Sequence, residues 1–366
     1  MKKSLLTLAL GSLFASSAFA QTSVTLYGIV DQSVRFQTNA DAGNHSQTQL
    51  TNGAITNSRW GLKGSEALGN NLKAIFQLEN GFDPDTGRSN QVSSQNPSGR
   101  LFGRQAYVGL AGDFGAIKLG RQYTEGFNLF GDFDPLTIGN YDNNAWPFFL
   151  TQFRADNVVS YSGSFSGLNV GASYGFGEQA GSLTKGQYVG ARASYDIGPF
   201  GIGGVYQEFR DTTAAKNKQQ MWGVAGKYTV GATKLFLGYI GGKDKTGSID
   251  AGFFSPSNTA NPIPAGGNAQ ANPRKDTIGY IGATYQATPA LALTGVFYGD
   301  FIDNKNGIND NSGKRYTGVL LAEYSLSKRT QVYGTVDFNK VTGGAKTELP
   351  GRNNQTGVAA GIRHIF

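Results

Sequence analysis

Apolar and polar residues alternate along much of this chain. In VTLYGIVDQSVRF (24–36), Val24, Leu26, Gly28, Val30, Val34 and Phe36 share one face, and Thr25, Tyr27, Asp31, Ser33 and Arg35 share the other. LKAIFQLE (72–79) sets Leu72, Ala74, Phe76 and Leu78 against Lys73, Gln77 and Glu79, and RWGLKG (59–64) sets Trp60 and Leu62 against Arg59, Gly61 and Lys63. A period of two places successive side chains on opposite faces of a strand, so these segments are strands with one apolar and one charged face. Read this way, the sequence predicts sixteen strands: 23–36, 55–66, 71–81, 101–111, 115–122, 154–162, 168–177, 187–197, 200–210, 219–229, 233–241, 276–287, 290–302, 314–326, 329–341 and 355–366. The last of them, GVAAGIRHIF, alternates up to Phe366. A strand in that place must pair on both edges or leave one edge open and adhesive.

The connections sort by length. Short ones lie at 67–71, 112–115, 163–167, 198–200, 230–232, 288–290 and 325–327; long ones lie at 37–54, 82–100, 123–153, 178–186, 211–218, 242–275, 303–313 and 342–354. Alternation of short turns and long loops describes an up-and-down meander whose two ends face different environments. Outer-membrane barrels are built so, with short periplasmic turns, long external loops, an apolar outside and a polar lumen. Soluble sandwiches use crossover connections and have less reason to sort loops by side. Strand 101–111 departs from the pattern, with Ala and Val beside Arg104. It is either a contact between subunits of a trimer or a strand whose register begins elsewhere.

The leader changes the picture of location. MKKSLLTLALGSLFASSAFA has basic Lys2 and Lys3, an apolar run from Leu5 to about Phe14, and small residues ending at Ala20. That is the layout of a secretory signal over 1–20, leaving 21–366 as a single barrel domain. The apolar run is shorter than the roughly 20 residues of a spanning helix. Without Lys2 and Lys3 the chain has 30 basic and 25 acidic residues, a net of +5, a weak basis for nucleic-acid binding. Glycine is abundant, with 53 of 366 residues, and mean hydropathy is negative. Such a composition disfavours long helices and suits either a soluble β protein or a polar-lumen barrel.

There is no cysteine, which excludes thiolate metal sites and Cys nucleophiles. The two histidines, His45 and His364, lie far apart, and His364 has no evident partners for zinc. DPDTG (83–87) and DNKNG (303–307) have Gly at the fifth position rather than the sixth, with no suitably spaced Glu, so they match calcium loops poorly. No nucleophile elbow, zinc helix or phosphate loop is present. No metal, cofactor or catalytic set is expected.

Five segments carry a family resemblance: SVTLYGIVDQSV (23–34), SRWGLKGSEALGNNLKAIFQLENGF (58–82), FGRQAYVGLAGDFGAIKLGRQYT (102–124), RADNVVSYSGSFSGLNVGASY (154–174) and the terminal strand to Phe366. Together they resemble the general Gram-negative outer-membrane porins of Burkholderia- and Neisseria-like bacteria. The resemblance implies a sixteen-stranded antiparallel transmembrane barrel in the cell outer membrane and a homotrimer with one pore per subunit. It also implies a third external loop, here 123–153, folded into the pore. The loop lacks the PEFGG-type signature of enterobacterial relatives, so its shape and charge cannot be copied from them. A terminal aromatic, here Phe366, is implied to be read by the barrel-insertion machinery, and would sit well at the lipid rim.

By the same resemblance, basic wall residues face acids on the inserted loop. Arg59, Arg104 and Arg154 match by motif and are expected to form a basic wall at the constriction; the alternative for each is an ion pair that braces the fold. Arg35, Lys63, Lys73 and Arg121 are further pore-lining candidates. Glu125, Asp132, Asp134 and Asp142 are the loop acids that could oppose them; for Asp132 and Asp134, in GDFDP, the alternative is solvated acids that initiate the turn before Pro135. The expected function is passive diffusion of small ions and hydrophilic solutes with moderate anion preference. A substrate-specific channel is the nearest alternative; a barrel enzyme and a plugged adhesin are further ones.

Overall fold

The computed structural model describes residues 23–91, 99–139, 141–252 and 269–366, and of residues 142 and 143 the backbone. The expected signal at 1–20 lies outside them. In chain order the strands are β1 (Ser23–Gln37), β2 (Gln47–Asn52), β3 (Arg59–Gly69), β4 (Leu72–Asp83), β5 (Arg88–Ser89), β6 (Gln105–Gly112), β7 (Gly115–Tyr123), β8 (Arg154–Phe165) and β9 (Leu168–Gly175). Then follow β10 (Tyr188–Ile197), β11 (Phe200–Arg210), β12 (Lys218–Val230), β13 (Thr233–Asp244), β14 (Arg274–Gln286), β15 (Leu291–Asp303), β16 (Gly313–Ser325), β17 (Thr330–Gly343) and β18 (Asn354–Ile365). Sixteen of these form one closed antiparallel barrel, and each coincides with a strand expected from the alternation. The short β2 and β5 fall inside segments expected to be loops, where they extend the pairing of β1 and β4.

Closure runs through β1 and β18, from Ile29↔Ile365 to Gln37↔Gly357. Gly28 and Phe366 extend the seam, exchanging backbone hydrogen bonds of 3.1 and 3.0 Å. The other edge of β1 pairs with β3 over Ser23–Ile29 and with β2 over Gln32–Gln37. Both edges are therefore occupied, which removes the open template that an unpaired strand presents.

The faces follow the sequence pattern. On β1, Val24 is 60% exposed to the outside, whereas inward Asp31 is fully buried. Leu237, Ile281 and Leu320 continue the outer apolar surface around the barrel. No helix among the described residues is long and apolar enough to cross a membrane, and the outward apolar surface is carried by strands. The irregularity expected at 101–111 is one of register. Residues 101–104 lie ahead of β6, where Asn80 Nδ2 donates to the Leu101 carbonyl at 2.6 Å in place of ladder bonding. From Gln105 the alternation is regular, with Val108 59% exposed on the outside, so the break carries no information about subunit contacts. Likewise the strand expected from residue 55 starts at Arg59, because Ser58 turns its hydroxyl to the Asp31 carbonyl and the Asn52 side chain.

The apolar core sits in the lumen. The segment between β7 and β8 enters the barrel as a helix, Glu125–Phe133, followed by a short helix, Asp142–Ala145, and a 3-10 turn, Trp146–Thr151. Thr124 caps the first helix, accepting from Phe127 N at 3.2 Å. Leu129, Phe130, Phe133, Trp146, Phe148 and Leu150 pack with inward Val205, Met221, Phe236, Ile240, Tyr280 and Tyr298 of β11 to β15. Those inward positions are apolar because they face protein and not water. Polar ties fix the loop further: Gln219 Nε2 to Leu150 O at 2.8 Å, Trp146 Nε1 to Thr317 Oγ1 at 2.8 Å, and Tyr280 Oη to Phe133 O at 2.9 Å. At its far end Tyr141 Oη meets Ser33 Oγ on β1 at 2.7 Å.

Candidate functional site

Covering the β9–β17 side of the lumen leaves a passage along the β1–β8 side. There a cavity of about 840 Å³ opens between wall and loop. Arg35, Arg59, Arg104, Tyr123 and Arg154 line it from the wall. Phe127, Asn128, Gly131, Asp132, Thr137 and Ile138 line it from the loop.

Strand direction explains why the three arginines share a level. Arg59 and Arg154 are the first residues of β3 and β8, and Arg104 immediately precedes β6. All three strands enter from the long-loop end, each separated from the next by one oppositely directed strand. Alternate strands lie about 10 Å apart, so their first residues form a row. Glu79 on β4 sits within the row. It accepts from Arg104 Nε at 2.7 Å and from Tyr27 Oη at 2.8 Å. Arg104 also donates to Tyr123 Oη at 2.6 Å. Arg154 places its guanidinium carbon 4.9 Å from the Tyr123 ring centre and 5.8 Å from that of Phe127. Arg59 Nε donates to the Asn57 carbonyl at 3.1 Å. Thus Arg104 forms a buried ion pair, while Arg59 and Arg154 are held by a carbonyl and by rings.

The remaining basic candidates divide. Arg35 lines the cavity but is locked to Asp337 by two hydrogen bonds, 2.7 and 3.0 Å, with Tyr141 stacked 4.0 Å away. Arg121 is outside the lining; it bonds Gly103 O at 2.7 Å and shares Asp156 with Arg100. Lys63 lies 5.2 Å from the Tyr27 ring, and Lys73 opposite Ala67 near the Asn70–Asn71 turn; neither lines the cavity.

Helical spacing separates the loop acids. Glu125, Gly126, Leu129, Phe130 and Phe133 form the buried face of the helix. Phe127, Asn128, Gly131 and Asp132 fall on the opposite face, toward the cavity. Glu125 is therefore turned to the barrel wall, 2.8 Å from Arg192 and hydrogen-bonded by Ser173. Asp134 is also turned away, accepting from Tyr298 Oη at 2.6 Å and Ile138 N at 2.7 Å. Asp132 is exposed on the cavity. The side chain of Asp142 lies outside the described residues. The alternation placed Glu79 on the lumen face without assigning it a role at the constriction. Tyr123 and Phe127 gave no signal in a chain rich in aromatics.

Burial pushes the Asp134 carboxyl up to about 7, against the opposing pull of Tyr298 and the Ile138 amide. A carboxyl raised above its ordinary value binds a proton more readily in the folded state. Its contribution to stability therefore falls as pH rises from about 4 to 7. The thermal midpoint of the Asp134→Asn barrel is expected to lose this part of the wild-type pH slope. An identical slope in both proteins would refute the assignment.

Among the described residues no group of three or more metal-ligating side chains is assembled. The sequence profile of the Gram-negative porin family matches residues 6–344. An outer membrane porin protein of Bordetella pertussis is 31% identical over 410 residues, and outer membrane porin protein 32 of Delftia acidovorans is 30% identical over 405, each covering 100% of both chains. Among solved structures, an anion-selective porin from Comamonas acidovorans is similar with a TM-score of 0.73 and 26% identity, over 94% of this chain and 100% of that one. The trimer form of OmpT from Vibrio cholerae shares the fold, with a TM-score of 0.66 and 14% identity over 94% of this chain and 99% of that one. A barrel that closes on itself, narrows around its own loop and matches these proteins from end to end is a member of the Gram-negative porin family of the outer membrane.

Proposed function

We propose that the chain is a passive outer-membrane channel for small ions and hydrophilic solutes, with a moderate preference for anions set by Arg59, Arg104 and Arg154. One observation carries the sign. Three guanidinium groups border the cavity with Glu79 as the wall's ion-pair partner, and two of the loop acids are turned away from it. Asp83 and Asp132 also line the cavity, so it is the excess of guanidinium groups over carboxylates that sets the field across the opening. The similar Comamonas structure is an anion-selective porin, which agrees. Porins are channels, not enzymes. In a planar bilayer with a tenfold KCl gradient, single channels are expected to conduct with a zero-current potential displaced toward the chloride equilibrium value. Absence of conductance would favour a plugged barrel, and displacement toward potassium would overturn the sign.

The protomer is proposed to work as a homotrimer, exported by its leader and seated in outer-membrane lipid. Phe366 is proposed as the element read by the insertion machinery. It joins the seam at Gly28, where any side chain would collide with the Phe366 ring. Deleting Phe366 should reduce the heat-modifiable trimer in the outer membrane and leave export across the inner membrane intact. Normal assembly would remove this role.

A further inference from the structure

We infer that the constriction selects, among small anions, those with a flat apolar body, aromatic monocarboxylates such as benzoate above all. The inference rests on the anion-preferring reading and adds a second recognition element to it. The cavity combines guanidinium groups with apolar side chains. Arg59 and Arg154 are on the wall, while Phe127 and Ile138 face it from the loop, and Ile29 adds another apolar side chain to the lining. A lumen built for hydrated inorganic ions has no need of a part-exposed ring facing its arginines.

Phe127 is held for this task. Its ring stacks on Tyr123 with centres 4.4 Å apart and planes at 22°, and meets Phe153 edge-on at 5.8 Å. Thr124 and Phe153 fix the start of the helix from which it projects, through the Thr124 N to Phe153 O bond of 3.1 Å. The ring is therefore positioned before a solute arrives, so little freedom is lost on contact. Arg154 stands 5.8 Å from the same ring, within the length of one small aromatic acid. A carboxylate directed to the arginine wall brings its ring over the loop side. Asp132, the carboxylate exposed on that side, opposes the reverse orientation. An apolar surface with a few convergent charges is the common form of a small-molecule site.

The test uses the assembled channel in a planar bilayer. Chloride current is recorded in KCl while sodium benzoate or sodium acetate is added, and half-blocking concentrations are compared. Block, rather than permeation, keeps the different mobilities of the two ions out of the readout. Benzoate is expected to block at a concentration about tenfold lower than acetate, the upper range for an aromatic contact. In Phe127→Ala and in Phe127→Leu, which retains apolar bulk, the two acids should differ by no more than about twofold. Equal block by the two acids in the wild type would overturn the inference, as would an unchanged ratio in assembled Phe127→Leu. The zero-current potential of the wild type in a KCl gradient, without organic acid, is read separately. Displacement toward potassium there sinks the anion reading itself. Displacement toward chloride with equal block sinks the aromatic preference alone.

Discussion

Replacing Arg59, Arg104 and Arg154 together by alanine is expected to move the zero-current potential through zero, from the chloride side to the potassium side. At about 6 Å and an effective dielectric near 40, one unit charge contributes roughly 1.4 kcal/mol, about a tenfold bias in local ion concentration. Screening with a Debye length near 8 Å at about 0.15 M reduces that figure without abolishing it across a narrow neck. The triple change does more than remove positive charge. Glu79 loses the guanidinium that Arg104 holds against it at 2.7 Å. Asp132 remains on the opposite side. The site that attracted anions would then present carboxylates, so the potential should change sign and not merely relax to zero. Arg154→Ala alone should give a partial shift, because Arg154 has rings and not an acid as its close neighbours. A triple variant that keeps the wild-type potential in a tenfold salt gradient would show that these residues do not govern selectivity.

The second large effect is steric. Deleting residues 134–143 is expected to raise single-channel conductance by a factor on the order of two and to admit larger sugars. The deletion removes Thr137, Ile138 and Tyr141 from the cavity lining, together with the Tyr141–Ser33 tie to β1. It spares Phe130 and Phe148, both fully buried in the lumen core. Truncating either of those rings would cost about 3–5 kcal/mol and risk releasing the whole loop. Liposome swelling with a series of sugars reads the size limit directly. An unaltered limit would mean that the deleted segment does not narrow the path.

The barrel was legible because its signal is local. The wall strands repeat the same two-residue alternation, and short turns rich in Gly, Pro, Ser and Asn mark their ends, so all sixteen could be placed from neighbours in sequence alone. The row of arginines was legible through its motifs. Its chemistry was only half so, since the ion pair of Arg104 with Glu79 joins residues 25 positions apart across a strand pair. The loop was the least transparent part. Four acids in a long connection look alike in sequence, yet helical phase sends Glu125 to the wall and Asp132 to the water. That phase depends on where the helix starts, which the Thr124 cap decides. Arg35 shows the same limit: its lumen face was correct, but its bidentate partner Asp337 comes from the far end of the chain.

The alternation of faces also constrains how genes of this kind can change in length. Inserting one codon within a wall strand would turn every later side chain of that strand to the opposite face as far as the next turn. Lipid would then meet Asp and Arg, and water would meet Val and Leu. Two codons restore the phase. Single-codon changes can survive only where the ladder already tolerates an unpaired residue, and the register shifts at Ala67/Gly69 and Gly120/Gln122 mark two such places. Elsewhere, lineages descended from this sequence should gain and lose residues freely in the long loops other than the lumen-packed 123–153, and in pairs within the strands.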